Sequence, residues 1–131
     1  MSVRILLVED HVPTRELIRE YLEREPQVEI VAETASGGEA VLLAEQHRPD
    51  VVVMDLSLPE MDGLKASQRI ARVSPASQIV MVTNYAFDDL RERARDMYGA
   101  SAFLAKEEIP TRLVPVITSL VKASTDKRQG R

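Results

Sequence analysis

Cysteine is absent from the 131-residue sequence, which excludes disulfides and thiolate metal sites and suits a reducing cytoplasm. A basic excess is missing too. The net charge of -4 argues against a nucleic-acid binder, since such domains usually carry a basic face to neutralise phosphates, and any DNA output is expected to come from elsewhere. Long apolar runs are also missing. The longest are strand-sized, such as residues 51–54, and the opening MSVRILLVED has no signal-peptide core, so a cytoplasmic protein without a membrane partner is expected. Internal repeats and low-complexity segments are lacking. The remaining composition, 44% hydrophobic and 29% charged, is that of a globular domain, and the length suits one core rather than a catalytic domain plus a regulatory one.

What is present is an alternation. Short runs rich in Val, Ile and Leu at residues 3–8, 28–33, 51–54, 78–83 and 101–105 are separated by helix-like stretches, five of each. That rhythm predicts an α/β fold, a doubly wound five-stranded parallel sheet with helices on both faces. Most runs are continuously apolar, as strands buried on both faces must be, whereas 28–33 is more polar and reads as an edge candidate. Helical spacing joins Leu17, Ile18, Tyr21 and Leu22, and again Phe87, Leu90, Ala94, Met97 and Tyr98. Ser36 with Glu39 forms a capping-box pattern, Gly37 and Gly38 read as the turn before the second helix, and Gly99 follows the fourth. Pro110 suits the first turn of a fifth helix, while Pro115 removes a donor and is expected to kink or delay it. The domain is read as residues 1–123, with 124–131 a polar tail, either a frayed terminus or the start of a linker.

In such a sheet, ligands gather outside the carboxyl ends of the strands. Four runs end there in polar groups: Glu9 and Asp10 after the first, Asp55 after the third, Thr83 at the fourth and Lys106 after the fifth. Three carboxylates brought together repel one another unless a cation compensates, and Mg2+ answers that need with oxygen ligands, retained waters and phosphate oxygens. Lys106 offers a point charge for phosphate, Thr83 a hydroxyl, and Asp55 a carboxylate nucleophile able to form an acyl phosphate. Phosphoryl transfer asks for little beyond such positioning and charge neutralisation.

The strings LLVEDH, DVVVMDLSLPEMDG, MVTN and GASAFLAK, in that order, resemble the response-regulator receiver domain of two-component signalling. The resemblance covers roughly the first 120 residues. It implies a flavodoxin-like sheet of order 2-1-3-4-5, Asp55 as phosphoacceptor, Glu9 and Asp10 as the acidic pair, and a Mg2+ site completed by the backbone carbonyl of Ser57. It further implies Thr83 as switch hydroxyl, Phe103 as switch aromatic, and Lys106 as the phosphate-binding lysine. The implied donor is a sensor histidine kinase or histidine phosphotransfer protein. Two positions depart from the commonest pattern: Asn84 replaces a small residue, and Glu107 replaces a proline after the lysine, so a trans peptide is expected there. A lysine without that proline resembles receivers that carry a C-terminal helix-turn-helix domain. Ser57 and Tyr85 stand where they would flank the hydrolytic water, so a phosphoprotein lasting minutes or longer is expected.

Taken singly, these residues read more plainly. Asp55 could be a turn former, Thr83 a helix cap, Lys106 solvated surface and Phe103 core. His11 and His47 read as surface residues, since neither has a partner evident in the sequence. The expected function is a phosphorylation-dependent switch, not an enzyme although it helps catalyse its own phosphorylation and dephosphorylation. A phosphorylation-independent interaction module is the alternative. An Asp-based phosphohydrolase would need an acid/base Asp close after Asp55, where Ser57 stands. Output is expected through a downstream protein partner or an effector domain outside this sequence, with the chain either a stand-alone receiver or the receiver half of a longer regulator.

Overall fold

Runs of Val, Ile and Leu without polar interruption need cover on both faces, and the chain supplies it. The structure is a computed structural model that describes residues 2–56, 63–83 and 99–130. Its elements are β1 (Val3–Val8), α1 (Val12–Glu23), β2 (Val28–Thr34), α2 (Gly37–His47), β3 (Val51–Asp55), α3 (Gly63–Val73), β4 (Gln78–Thr83), β5 (Ala102–Ala105), a 3-10 turn (Lys106–Glu108) and a C-terminal helix (Ile109–Gly130). All strands are parallel and lie in the order β2-β1-β3-β4-β5. The flavodoxin-like order is therefore the expected one, and β2 is indeed an edge. Four α-helices occur among the described residues; the segment 87–98, expected to form another, lies outside them.

Side-chain alternation divides the core in two. Leu6, Val8, Val52, Met54, Ile79 and Met81 face Ala40 and Ala44 of α2 and Ala66 and Ile70 of α3. From the same strands Ile5, Leu7, Val51, Val53, Val80 and Val82 face Ile18 and Leu22 of α1 and Ile109, Leu113 and Ile117 of the C-terminal helix. The small alanines of α2 and α3 allow those helices to lie close to the sheet. Ser36 caps α2 by accepting a hydrogen bond from the Glu39 N–H at 3.3 Å, the half of the capping box that the sequence anticipates.

Three strand boundaries and the course of the last helix differ from expectation for identifiable reasons. β2 continues to Thr34 and β3 to Asp55, because backbone pairing persists where the side chains turn polar. β5 starts at Ala102; just before it the Ser101 N–H donates to the Ile79 carbonyl at 2.7 Å, and its hydroxyl bridges Gln78 Oε1 at 2.6 Å and the Ile79 N–H at 3.3 Å. Pro115 does not delay the last helix, which begins at Ile109 and runs to Gly130. So near the start of a 22-residue helix, one missing donor leaves the rest of the ladder able to propagate, and the stretch from Ser124 continues the helix rather than fraying.

Because the sheet is covered on both sides, Leu6→Ala and Leu7→Ala are each expected to lower stability by about 2 to 5 kcal/mol in urea unfolding. A near-zero cost for either would mean that one face is not packed.

Candidate functional site

Strand register delivers the polar strand ends to one another. Val8 pairs with Met54, Asp55 with Val82, and Thr83 with Ala105, so Glu9, Asp55, Thr83 and Lys106 stand on four neighbouring strands at one edge of the sheet. Asp10 is exposed, while Glu9 and Asp55 are buried, at 0% and 4% exposure. The three side chains each bring a carboxylate oxygen within 4.8 Å of the others. Lys106 Nζ lies 3.4 Å from Asp55 Oδ2 and 3.4 Å from both Glu9 carboxylate oxygens. Thr83 is buried beside this group, and Phe103 is half-buried against the core on the α2 and α3 side. The Lys106–Glu107 peptide is trans, as expected.

Glu9 is held firmly. Its N–H donates to the Thr34 carbonyl at 3.0 Å, its own carbonyl accepts from Arg15 Nη1 at 3.0 Å, and Oε2 accepts the His11 N–H at 3.2 Å. Oε1, though 3.4 Å from Lys106 Nζ, is buried without a hydrogen bond among the described residues. Burial, a hydrogen bond with Asp55 and the charge of Asp55 push the Glu9 carboxyl up to about 7, against the opposing pull of the His11 N–H and Lys106. The loop after β5 is organised by Glu108, which accepts the Ala105 N–H at 2.8 Å and Arg112 Nη1 at 2.8 Å.

Gly63 is a supporting residue that the sequence reading did not single out. Its N–H donates to the Leu56 carbonyl at 2.6 Å. A Cβ there would collide with the Asp55 carbonyl and approach Leu56 Cα to 2.7 Å and Leu56 O to 2.8 Å. Only glycine lets α3 start directly against the end of β3. The signal available in the sequence was the Asp-Gly pair closing the LSLPEMDG string. His11 is exposed, as expected, and its Nδ1 lies 2.6 Å from Thr14 Oγ1. His47 is half-buried and its carbonyl accepts from Arg4 Nη1 at 2.6 Å. Ser57, Asn84 and Tyr85 lie outside the described residues.

Comparison with known proteins agrees with this geometry. The family of the response regulator receiver domain matches residues 5–118 of the sequence. The chain belongs to the response regulator receiver family. Similar proteins include the transcriptional regulatory protein PdtaR of Mycobacterium tuberculosis, 45% identical over 116 residues, a match covering 87% of this chain and 54% of that protein. The protein-glutamate methylesterase/protein-glutamine glutaminase of Alkalilimnicola ehrlichii is 40% identical over 107 residues, covering 81% of this chain and 27% of that protein. Among solved structures, a LuxR-family two-component response regulator from Aurantimonas sp. SI85-9A1 superposes with a TM-score of 0.88 at 36% identity, covering 94% of this chain and 87% of that one. This receiver thus spans about half the length of the first curated relative, and about a quarter of the methylesterase. No helix among its described residues is long and apolar enough to cross a membrane.

The receiver's acidic group fits a hard divalent cation. Among the described residues, three carboxylates, when ionised, outnumber the one ammonium group beside them by two charges, and the buried Glu9 Oε1 has no hydrogen-bond partner. Oxygen donors of this kind suit Mg2+.

The raised Glu9 carboxyl is a statement about stability. Its contribution is fully present below its ordinary value of 4.5 and is lost as pH rises through about 7. In metal-free buffer at pH 8, Glu9→Gln, uncharged throughout, is expected to exceed wild type by about 1 to 3 kcal/mol in urea unfolding, with the gap closing at pH 5. A gap independent of pH would show that another group titrates. Gly63→Ala is expected to cost about 1 to 3 kcal/mol in the same assay; unchanged stability would mean that α3 can start elsewhere.

Proposed function

We propose that this receiver is a phosphorylation-controlled switch, in which a phosphohistidine on a sensor histidine kinase or phosphotransfer protein donates its phosphoryl group to Asp55. The observation that carries this reading is the buried Asp55 carboxylate, at the end of β3, with Lys106 Nζ 3.4 Å away and two further carboxylates beside it. Glu9, Asp10 and Asp55 would hold Mg2+, with the carbonyl of Ser57 as a further ligand. When bound, the ion supplies charge neutralisation for the transferred phosphoryl group.

In this reading an Asp55 oxygen attacks phosphorus in line, and the phosphorus–nitrogen bond to the donor imidazole breaks. The electron pair stays with the imidazole, which takes up a proton, and Asp55 is left as an acyl phosphate. Lys106 follows the negative charge from the Asp55 carboxylate to the phosphoryl oxygens, and the Thr83 hydroxyl donates to one of them. Both side chains are then drawn toward the phosphate. Phe103 repacks, and the surface around β5, the C-terminal helix and the segment 84–98 shifts its population. Ser57 and Tyr85 set access of the hydrolytic water. Output passes through contacts with a protein partner or an effector domain, a reading supported by the greater length of the curated relatives.

Incubation with acetyl phosphate and Mg2+, read by intact mass, is expected to add one phosphoryl group to wild type and none to Asp55→Asn. Incorporation at an equal level in the variant would remove Asp55 from the role. No incorporation in wild type would favour an interaction module, and sustained release of phosphate a hydrolase.

A further inference from the structure

Arg15 occupies a place that helix electrostatics disfavours. It lies in the first turn of α1, where the unpaired N–H groups carry a partial positive charge, and no acidic residue stands in that turn to offset it. Its side chain has two partners instead. Nη1 donates to the Glu9 carbonyl at 3.0 Å, and Nε lies 3.8 Å from Glu33 Oε1. Glu33, near the end of edge strand β2, is gripped by Arg19 through Nε at 2.9 Å and Nη2 at 2.6 Å. The hydrogen bonds from Arg19 hold the Glu33 carboxyl below its ordinary range, so Glu33 stays ionised beside Arg15.

The far end of this chain of contacts is the β1–α1 turn. The Glu9 N–H is already committed to the Thr34 carbonyl at 3.0 Å. With its carbonyl committed to Arg15 as well, the backbone on both sides of Glu9 is fixed, and from this short stretch project two of the three clustered carboxylates. Supports of this kind orient the groups that bind a metal without touching it.

We infer that Arg15 is a positioning residue for the divalent-cation site, holding the Glu9–Asp10 backbone through the Glu9 carbonyl and held in turn by the Glu33–Arg19 pair. This rests on the reading of Glu9, Asp10 and Asp55 as the Mg2+ site. The sign of its effect separates positioning from charge. A guanidinium near a cation site repels the cation, so its removal through charge alone would tighten Mg2+ binding. Loss of an orienting hydrogen bond weakens binding instead.

Titration calorimetry of the full chain with MgCl2 tests this. Arg15→Ala is expected to bind Mg2+ about tenfold more weakly, a loss usual for such supporting groups. Arg15→Lys, which keeps the charge and a donor, should recover most of that affinity, and Glu33→Gln should show a smaller loss. Unchanged or tighter binding by Arg15→Ala overturns the inference, as does failure of Arg15→Lys to recover affinity. Should Arg15→Ala not fold, as urea unfolding would reveal, Glu33→Gln decides, and unchanged affinity there overturns the network. Asp10→Asn keeps the two readings apart: if it binds like wild type, or wild type does not bind, the Mg2+ reading itself fails and takes this one with it. If Asp10→Asn is impaired while Arg15→Ala is not, only the role of Arg15 falls.

Discussion

Crowding of carboxylates around a single ammonium group is the constraint on which the rest of this structure depends. Glu9 and Asp55 are buried next to each other, and burial together with the neighbouring Asp55 drives the Glu9 carboxyl to take up a proton. Lys106, arriving from 97 positions away, offsets part of that cost at 3.4 Å. Such a meeting demands that β1, β3, β4 and β5 end level. A shift of one residue in any pairing would send a site residue to the opposite face of the sheet. The filled core on both faces keeps the register in place, so the apolar packing is also what sustains the electrostatic tension at the rim.

Around this tension the molecule divides its labour. Among the described residues the two core clusters are apolar and serve as rigid support, while the rim carries the clustered charged groups. Between them are residues that act through the backbone: Gly63, whose missing side chain admits α3 against Asp55, Glu108, which ties down the start of the loop after β5, and Thr34, which fixes the Glu9 N–H. Rigid placement of this kind suits phosphoryl transfer, where the protein contributes orientation and charge more than covalent chemistry.

Much of this was legible in the sequence because the signals were local and strong. Continuous Val, Ile and Leu runs mark buried parallel strands, and Glu9, Asp55, Thr83 and Lys106 each stand at or directly after such a run, where the topology gathers them. Boundaries were less legible, since β2 and β3 go on pairing into Thr34 and Asp55 after hydrophobicity has ended. The extension of the C-terminal helix to Gly130 was hidden by polar composition, which describes what a helix can bury and not whether its backbone continues. Gly63 and Arg15 gave the weakest signals. Each acts on a main-chain atom that only the folded chain brings near, so no periodicity or motif spacing encodes the contact.

The sequence span of the acidic site has a consequence for how it comes into being. Its outermost members, Glu9 and Lys106, close a loop that includes most of the chain, and every strand but β2 contributes a residue. Contacts of such long range form only after a large loss of chain entropy, so no early folding intermediate or nascent chain shorter than about 106 residues can present the assembled group. Any local opening that frees β5 dissolves it again. The site is therefore a built-in check on the sheet: a molecule able to gather these charges has already aligned β1, β3, β4 and β5.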